Sequence, residues 1–318
     1  MGVSYGGSSA LVTPREDLGL GFDALDVEAM QGGYVGFQIA PIIEASVAFG
    51  QYRKVDLGQL LQPRKTDRNS DGSFKRIGAE FKTGAFKTED HGLEMPVDYR
   101  DSAIYAGMID SEMQAAMLTR AGVIEAHENR VIALVDALSG TGATNEFDDA
   151  AADLAADFAA YKRTFRLACG VKPNALCVDS SIVDAMMNNS SILDKFVGAN
   201  SRTARDIRLQ GLAAALGLDE VIEANSVKNT VAAPKAVSLA TSWTEDNALL
   251  FVKSTAQTTL VPQFARTIHW SGNGSRPGCS FEQYEEPQKD GTVIRARLEV
   301  QEVVLYSTCA MLITGVKT

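Results

Sequence analysis

The sequence predicts an α+β fold in which a compact body carries projecting parts, and three observations point there. A helical pattern runs from about residue 101 to 138. Downstream, short apolar strands alternate with further helices. Upstream, residues 51 to 99 are polar and rich in turn residues, with too few apolar side chains for a core of their own.

Of the 318 residues, 45% are hydrophobic and 22% charged, which suits a packed globular chain of one large domain or two modest ones. No apolar run approaches the roughly 18 residues that span a bilayer. The start, MGVSYGGSSA, lacks the charged and apolar regions of a signal peptide. Gly2 follows Met1, but Gly6 stands where a myristoylation signal needs a hydroxyl residue. A cytoplasmic site of synthesis is therefore expected. Cys169, Cys177, Cys279 and Cys309 lack metal-ligand spacing and read as reduced, buried small hydrophobes, with a functional disulfide as the alternative. The net charge of −10 argues against a protein that grips nucleic acid, which needs a basic patch to displace counterions.

The N-terminal 40 residues read as an extended arm. Only Phe22 to Met30 has a helical look, with Phe22, Leu25 and Ala29 on one side. Charge divides sharply here. Residues 1 to 50 hold Arg15 against Glu16, Asp17, Asp23, Asp26, Glu28 and Glu44. Residues 51 to 90 reverse the balance, with Arg53, Lys54, Arg64, Lys65, Arg68, Lys75, Arg76, Lys82 and Lys87. These are two solvated surfaces of opposite sign, or complementary patches that meet across a subunit boundary. Thr66 to Ser73 (TDRNSDGS) signals a turn, and Lys75 to Thr88 flanks it with Ile77, Phe81 and Phe86 spaced by polar residues. A long β-hairpin is predicted.

In the long helix Met117, Ala121, Ile124, Glu128, Val131, Val135 and Leu138 share a face, with Glu128 the polar exception. Ser139 to Gly142 ends it, and a break falls near Ser111 or Gly122. A second helix runs from about Asp148 to Cys169, with Leu154, Phe158, Tyr161, Phe165 and Ala168 as its stripe and Gly170 as its cap. Ala175 to Val178 is a short strand. Ser180 or Ser181 caps the next helix, which Asn188-Asn189 breaks. Residues 205–217 form another helix. Strands follow at Leu218 to Ala224, Ala236 to Ala240 and Ala248 to Val252. From Arg295 to Leu312 the pattern alternates, then turns apolar, as a half-buried strand entering the core does.

Catalytic motifs fail one by one. His127-Glu128 begins like a zinc-protease motif, but Val131 stands where the second ligand belongs, so His127 reads as a helix-surface residue. His269, beside Trp270, reads as a packing residue. Gly78 to Thr88 lacks Gly-Lys-Ser/Thr spacing, and Gly272-Asn273-Gly274 lacks the third glycine of a dinucleotide loop. Asp148-Asp149 and Glu285-Glu286 read as loop or cap acids. No catalytic, cofactor-binding or metal site is assigned, and the chain does not read as an enzyme.

The run Gly170-Val171-Lys172-Pro173-Asn174-Ala175-Leu176-Cys177-Val178 resembles a stretch of tailed-bacteriophage major capsid proteins. There a helix ends at glycine and Pro-Asn leads into an apolar strand. Ile182 to Met186 and Ile192 to Phe196 resemble the helix that follows. Leu212 to Thr230 and Trp243 to Ser254 resemble the family's next helix, strand and loop, in the same order. The family has the Hong Kong 97-type fold. The resemblance implies an arm (residues 1–45), an extended loop (46–98), a peripheral domain with a spine helix (99–144 and 261–318) and an axial domain (145–260).

It further implies a shell subunit that assembles through pentamers and hexamers into an icosahedral head enclosing double-stranded DNA. The implied location is the virion, assembled in the host cytoplasm. The implied partners are copies of the chain itself, a separate scaffold protein, a portal protein and a decoration protein, without a membrane. A separate scaffold is expected because no scaffold-like segment precedes the arm. Arg64, Lys65, Arg68, Lys75 and Arg76 are the candidate inter-subunit contacts. Lys65, Lys75, Lys82 and Lys87 lie in the region where some members cross-link, but no motif assigns one. The alternatives are an encapsulin-like nanocompartment shell, a tail or portal component, and an enzyme whose site is built only by folding.

Overall fold

The computed structural model describes residues 13–14, 34–64, 66–68, 72, 76–78, 80–105, 110–192, 205–231, 236–286 and 290–317. The helix expected over Phe22 to Met30, four residues of the turn at Thr66 to Ser73, and the stretch from Leu193 to Phe196 lie outside these.

Two sheets carry the fold. The first has six strands: β1 (Thr13–Pro14), β2 (Ile42–Ala45), β5 (Glu89–Asp98), β12 (Ala265–Trp270), β13 (Ser280–Glu286) and β14 (Gly291–Val304). The long β14 is its axis. One edge pairs with β5 from Gly291 to Val300; the other pairs first with β13 and then with β12. The second has five: β6 (Gly140–Gly142), β7 (Ala175–Asp179), β8 (Glu220–Ala224), β11 (Asn247–Phe251) and β15 (Ala310–Thr314), in the order β6-β15-β11-β7-β8. Two separate hairpins project: β3 (Phe49–Val55) with β4 (Phe81–Lys87), and β9 (Val227–Asn229) with β10 (Leu239–Thr241).

The second sheet is buried on both faces, as its continuous apolar strands require. Leu176, Val178, Ala248 and Leu250 point into one core with the helices Leu154–Cys169, Ser180–Asn188 and Arg205–Leu216. Ala175, Cys177, Leu249 and Phe251 point the other way, onto Val131, Ile132 and Val135 of the helix Ser111–Asp136. The N-terminal half of that helix lies on the first sheet, where Ala115, Ala116 and Val123 meet Ile294, Ala296 and Leu298. One helix of 26 residues, about 39 Å long at 1.5 Å per residue, therefore spans both cores.

The helix begins after Asp110, whose carboxylate accepts from Met113 N–H, so the break expected near Ser111 is a capped start. Gly122 lies within it. It ends at Asp136, before the expected glycine stop, and Gly140–Gly142 instead pairs with β15. The buried stripe also differs in the N-terminal half. Thr119, Val123 and His127 are buried while Met117, Ala121 and Ile124 are only half-covered. His127 is thus a core residue, not a surface one. The second helix starts at Leu154 behind an Asp153 cap, and its stripe closes on Cys169 because Ala168 faces solvent. Gly170 follows in the left-handed conformation, φ 79°. Asp179, not Ser180 or Ser181, caps the helix Ser180–Asn188.

Residues 89–98 pair in the first sheet, so the projecting hairpin ends at Lys87. The alternating stretch from Arg295 divides at the turn Ser307–Cys309: β14 belongs to the first sheet and β15 to the second.

Candidate assembly surface

The hairpin β3–β4 has one face toward the body and one toward water, set by the strand period of two. Tyr52, Lys54 and Phe86 face inward. The Tyr52 ring fills the space that Gly84 leaves, and both Tyr52 and Phe86 pack against the large core. Phe86 is therefore an anchor, whereas Ile77 and Phe81 stay exposed as their polar setting suggested. Four contacts fix the root. Lys54 Nζ donates to Leu305 O at 2.8 Å, and Tyr306 Oη donates to Val55 O at 3.0 Å. Thr259 Oγ1 donates to Arg53 O at 2.7 Å, and Lys87 N–H donates to Gln301 Oε1 at 2.6 Å.

Away from the body the hairpin and the segment it carries offer apolar surface to water. Phe49 is 77% exposed, Ile77 65% and Leu60 63%, with Leu61 and Phe81 about half exposed. Several large apolar side chains on one projection exceed the scattered singles of an ordinary surface.

Arg64 and Arg76 are exposed on the same projection. Arg64 donates to Gln59 O at 3.0 Å, and Arg68 Nε donates to Gly72 O at 2.7 Å, so both hold their own loop. Lys65 and Lys75 lie outside the described residues, as do all the acids of the arm before Glu44, which is exposed. Lys82 pairs with Asp56 at 3.1 Å. Of the five candidate cations, Arg64, Arg68 and Arg76 are thus exposed on the segment between β3 and β4.

A second feature escaped the sequence. The Glu128 carboxylate is buried and accepts from Val35 N–H, Gly36 N–H and Trp243 Nε1–H. Burial raises its pKa, and those three donors oppose the rise. Next to it the His127 ring stacks on Phe37 at 3.9 Å and its Nε2 lies 3.1 Å from Thr267 Oγ1. Burial pushes this imidazole down to about 4, the nearby Glu302 opposing and Arg130 and His91 assisting. A Cβ on Gly36 would lie 2.7 Å from Glu128 Oε2, so any other residue must displace the clasped carboxylate. This clasp ties the turn Gly36–Ile39, where the arm joins the body, to the spine helix. The one signal in the sequence was Glu128 interrupting an apolar stripe.

Among the described residues no group of three His, Cys, Asp or Glu side chains could hold a metal, and no helix is long and apolar enough to cross a membrane. His269 is buried, with Nε2 3.2 Å from Ser275 Oγ, so it packs within the first sheet.

No family model matches the chain, and no curated protein matches it by sequence. Solved structures do match. A phage-related protein of Bordetella bronchiseptica RB50 aligns with 92% of this chain and 96% of its own, at 14% identity and a TM-score of 0.64. The capsid of Cyanophage P-SCSP1u aligns with 88% of this chain and 87% of its own, at 12% identity and a TM-score of 0.53. An encapsulin from Synechococcus elongatus PCC 7942 aligns with 89% of this chain and 88% of its own, at 11% identity and a TM-score of 0.51.

Proposed function

We propose that this chain, which has the Hong Kong 97-type α+β fold of tailed-phage major capsid proteins, is the major capsid subunit of a tailed phage. Copies associate into pentamers and hexamers, and these close into an icosahedral head around double-stranded DNA. The observation that carries the proposal is the outer face of the hairpin and of the segment between its strands. Phe49, Leu60 and Ile77 are left in water by a chain that has three cores in which to bury them. A neighbouring copy supplies the missing cover. The similarity to capsid shells supports this reading, and the acidic net charge suits a container that must release DNA without holding it.

In this account Arg64, Lys65, Arg68, Lys75 and Arg76 meet acidic surface on an adjacent subunit and set the register of the contact. Residues 145–260, which supply β7, β8, β11 and their helices, form the axial domain, and residues 99–144 and 261–318, with the spine helix, form the peripheral one, whose β6 and β15 pair into the five-stranded sheet. The clasp at Glu128 holds Val35 and Gly36 on the spine helix. Scaffold, portal and decoration proteins are the further partners, and the chain acts as structure and not as catalyst.

Reversing three of the charges, Arg64→Glu, Arg68→Glu and Arg76→Glu together, should abolish shell formation while the subunit keeps its circular dichroism spectrum. Normal shells from that variant would refute the role given to the loop. The match to an encapsulin favours a second reading, a nanocompartment shell with protein cargo. Particles purified from the native host separate the two: packaged DNA supports the phage head, and a DNA-free shell loaded with protein supports the nanocompartment.

A further inference from the structure

The helix Leu154–Cys169 and the turn Ser307–Cys309 each end on a cysteine, and the two meet. Their sulfurs lie 2.7 Å apart, and both side chains are buried. A disulfide has an S–S distance of about 2.05 Å, so bonding needs a displacement of roughly 0.7 Å. Free cysteines that serve only as small hydrophobes have no need of so close an approach.

We propose that Cys169 and Cys309 form an intrachain disulfide, a covalent site that nothing in the shell role requires. The bond would join two positions 140 residues apart. It lies beneath the hairpin root. Leu305 and Tyr306, which lead into the same turn, receive Lys54 and reach Val55, and Leu61 packs against Gly170, the residue after Cys169. Oxidation therefore staples the platform from which the hairpin projects.

The chemistry closes with a low-molecular-weight disulfide as oxidant. The Cys169 thiolate attacks one sulfur of oxidised glutathione and expels glutathione thiolate, which takes up a proton. Cys309 then loses its proton and attacks Cys169 Sγ, expelling a second glutathione. Two protein thiols are oxidised and one glutathione disulfide is reduced. Hydrogen bonding from Cys309 lowers the Cys169 thiol, which favours Cys169 as the attacking group. Cys177 and Cys279 are both pushed up by burial, the latter to about 12, and serve as internal controls. A reducing cytosol keeps the pair open; an oxidising medium closes it.

The test treats the folded protein with oxidised glutathione at room temperature and just below its thermal midpoint, then counts thiols after denaturation. The four thiols should fall to two, with a mass loss of about 2 Da and one peptide linking Cys169 to Cys309. The thermal midpoint should rise by roughly 5–10 °C and return on reduction. Cys177→Ser should still form the link. Cys169→Ser and Cys309→Ser should form none. Four thiols remaining in the wild type at both temperatures, or a link through Cys177 or Cys279, would overturn the proposal.

Discussion

Replacing Phe49 with Ser should separate folding from assembly. The ring is 77% exposed on the hairpin's outer face, so the isolated subunit gains little from it. A phenylalanine side chain offers about 200 Å². Roughly 150 Å² of Phe49 is therefore open to a neighbour, given its 77% exposure. At about 25 cal/mol per Å², full coverage is worth up to about 4 kcal/mol per contact. Ordering and imperfect fit reduce that to about 2 kcal/mol. Each 1.4 kcal/mol is about tenfold in an equilibrium constant, so the concentration at which shells form should rise about 30-fold or more. The subunit itself should lose no more than about 1 kcal/mol, the cost of a poorer strand residue. Sedimentation velocity across a concentration series reads the first quantity, and urea denaturation of unassembled subunits reads the second. Unchanged shell formation, or a subunit destabilised by several kcal/mol, would refute the argument that this face is reserved for another copy.

Three further predictions concern the body. The unfolded His127 takes up a proton below about pH 6.5, whereas the buried ring holds out to about 4. The native state thus binds fewer protons in that window, so stability drops as the pH is lowered from about 6.5 toward 4, by at most about 1.4 kcal/mol per unit. Urea midpoints at pH 7 and pH 5 should show this slope, and His127→Gln should flatten it; Glu128, raised by burial, acts in the opposite sense and is retained in both proteins. Gly36→Ala forces a methyl group against Glu128 and His127 and should cost about 1–3 kcal/mol in thermal or urea unfolding. Trp243→Phe removes one of the three donors to the buried Glu128 carboxylate and should cost about 1–3 kcal/mol by the same measurement, with no direct effect on the hairpin.

What the sequence disclosed follows the physics of each element. Strands β7 and β11 were legible because a sheet covered on both faces needs unbroken apolar runs, and Leu176 to Val178 and Ala248 to Phe251 supply them. The helix Leu154–Cys169 was legible from its stripe and its glycine cap, although its start was set by Asp153 within a run of Ala and Asp where propensity alone does not choose. The spine helix was legible in extent but not in rotation. It crosses from one sheet to the other, so no single stripe describes it, and His127 and Glu128 point inward to partners 90 or more residues away. The hairpin's polar look was readable, but Phe86 packs inward because Gly50 and Gly84 leave room for aromatic rings, which only the register of β3 on β4 reveals. Likewise the meeting of Cys169 with Cys309 depends on the chain leaving the first sheet after β14 and entering the second at β15, and no local signal marks that crossing.

The most direct measurement is an electron micrograph of the purified, expressed protein, with its scaffold partner supplied. The account predicts closed, thin-walled particles of uniform diameter with local five- and six-fold rings. A protein that stays monomeric at high concentration, or forms only single rings or open tubes, would contradict it.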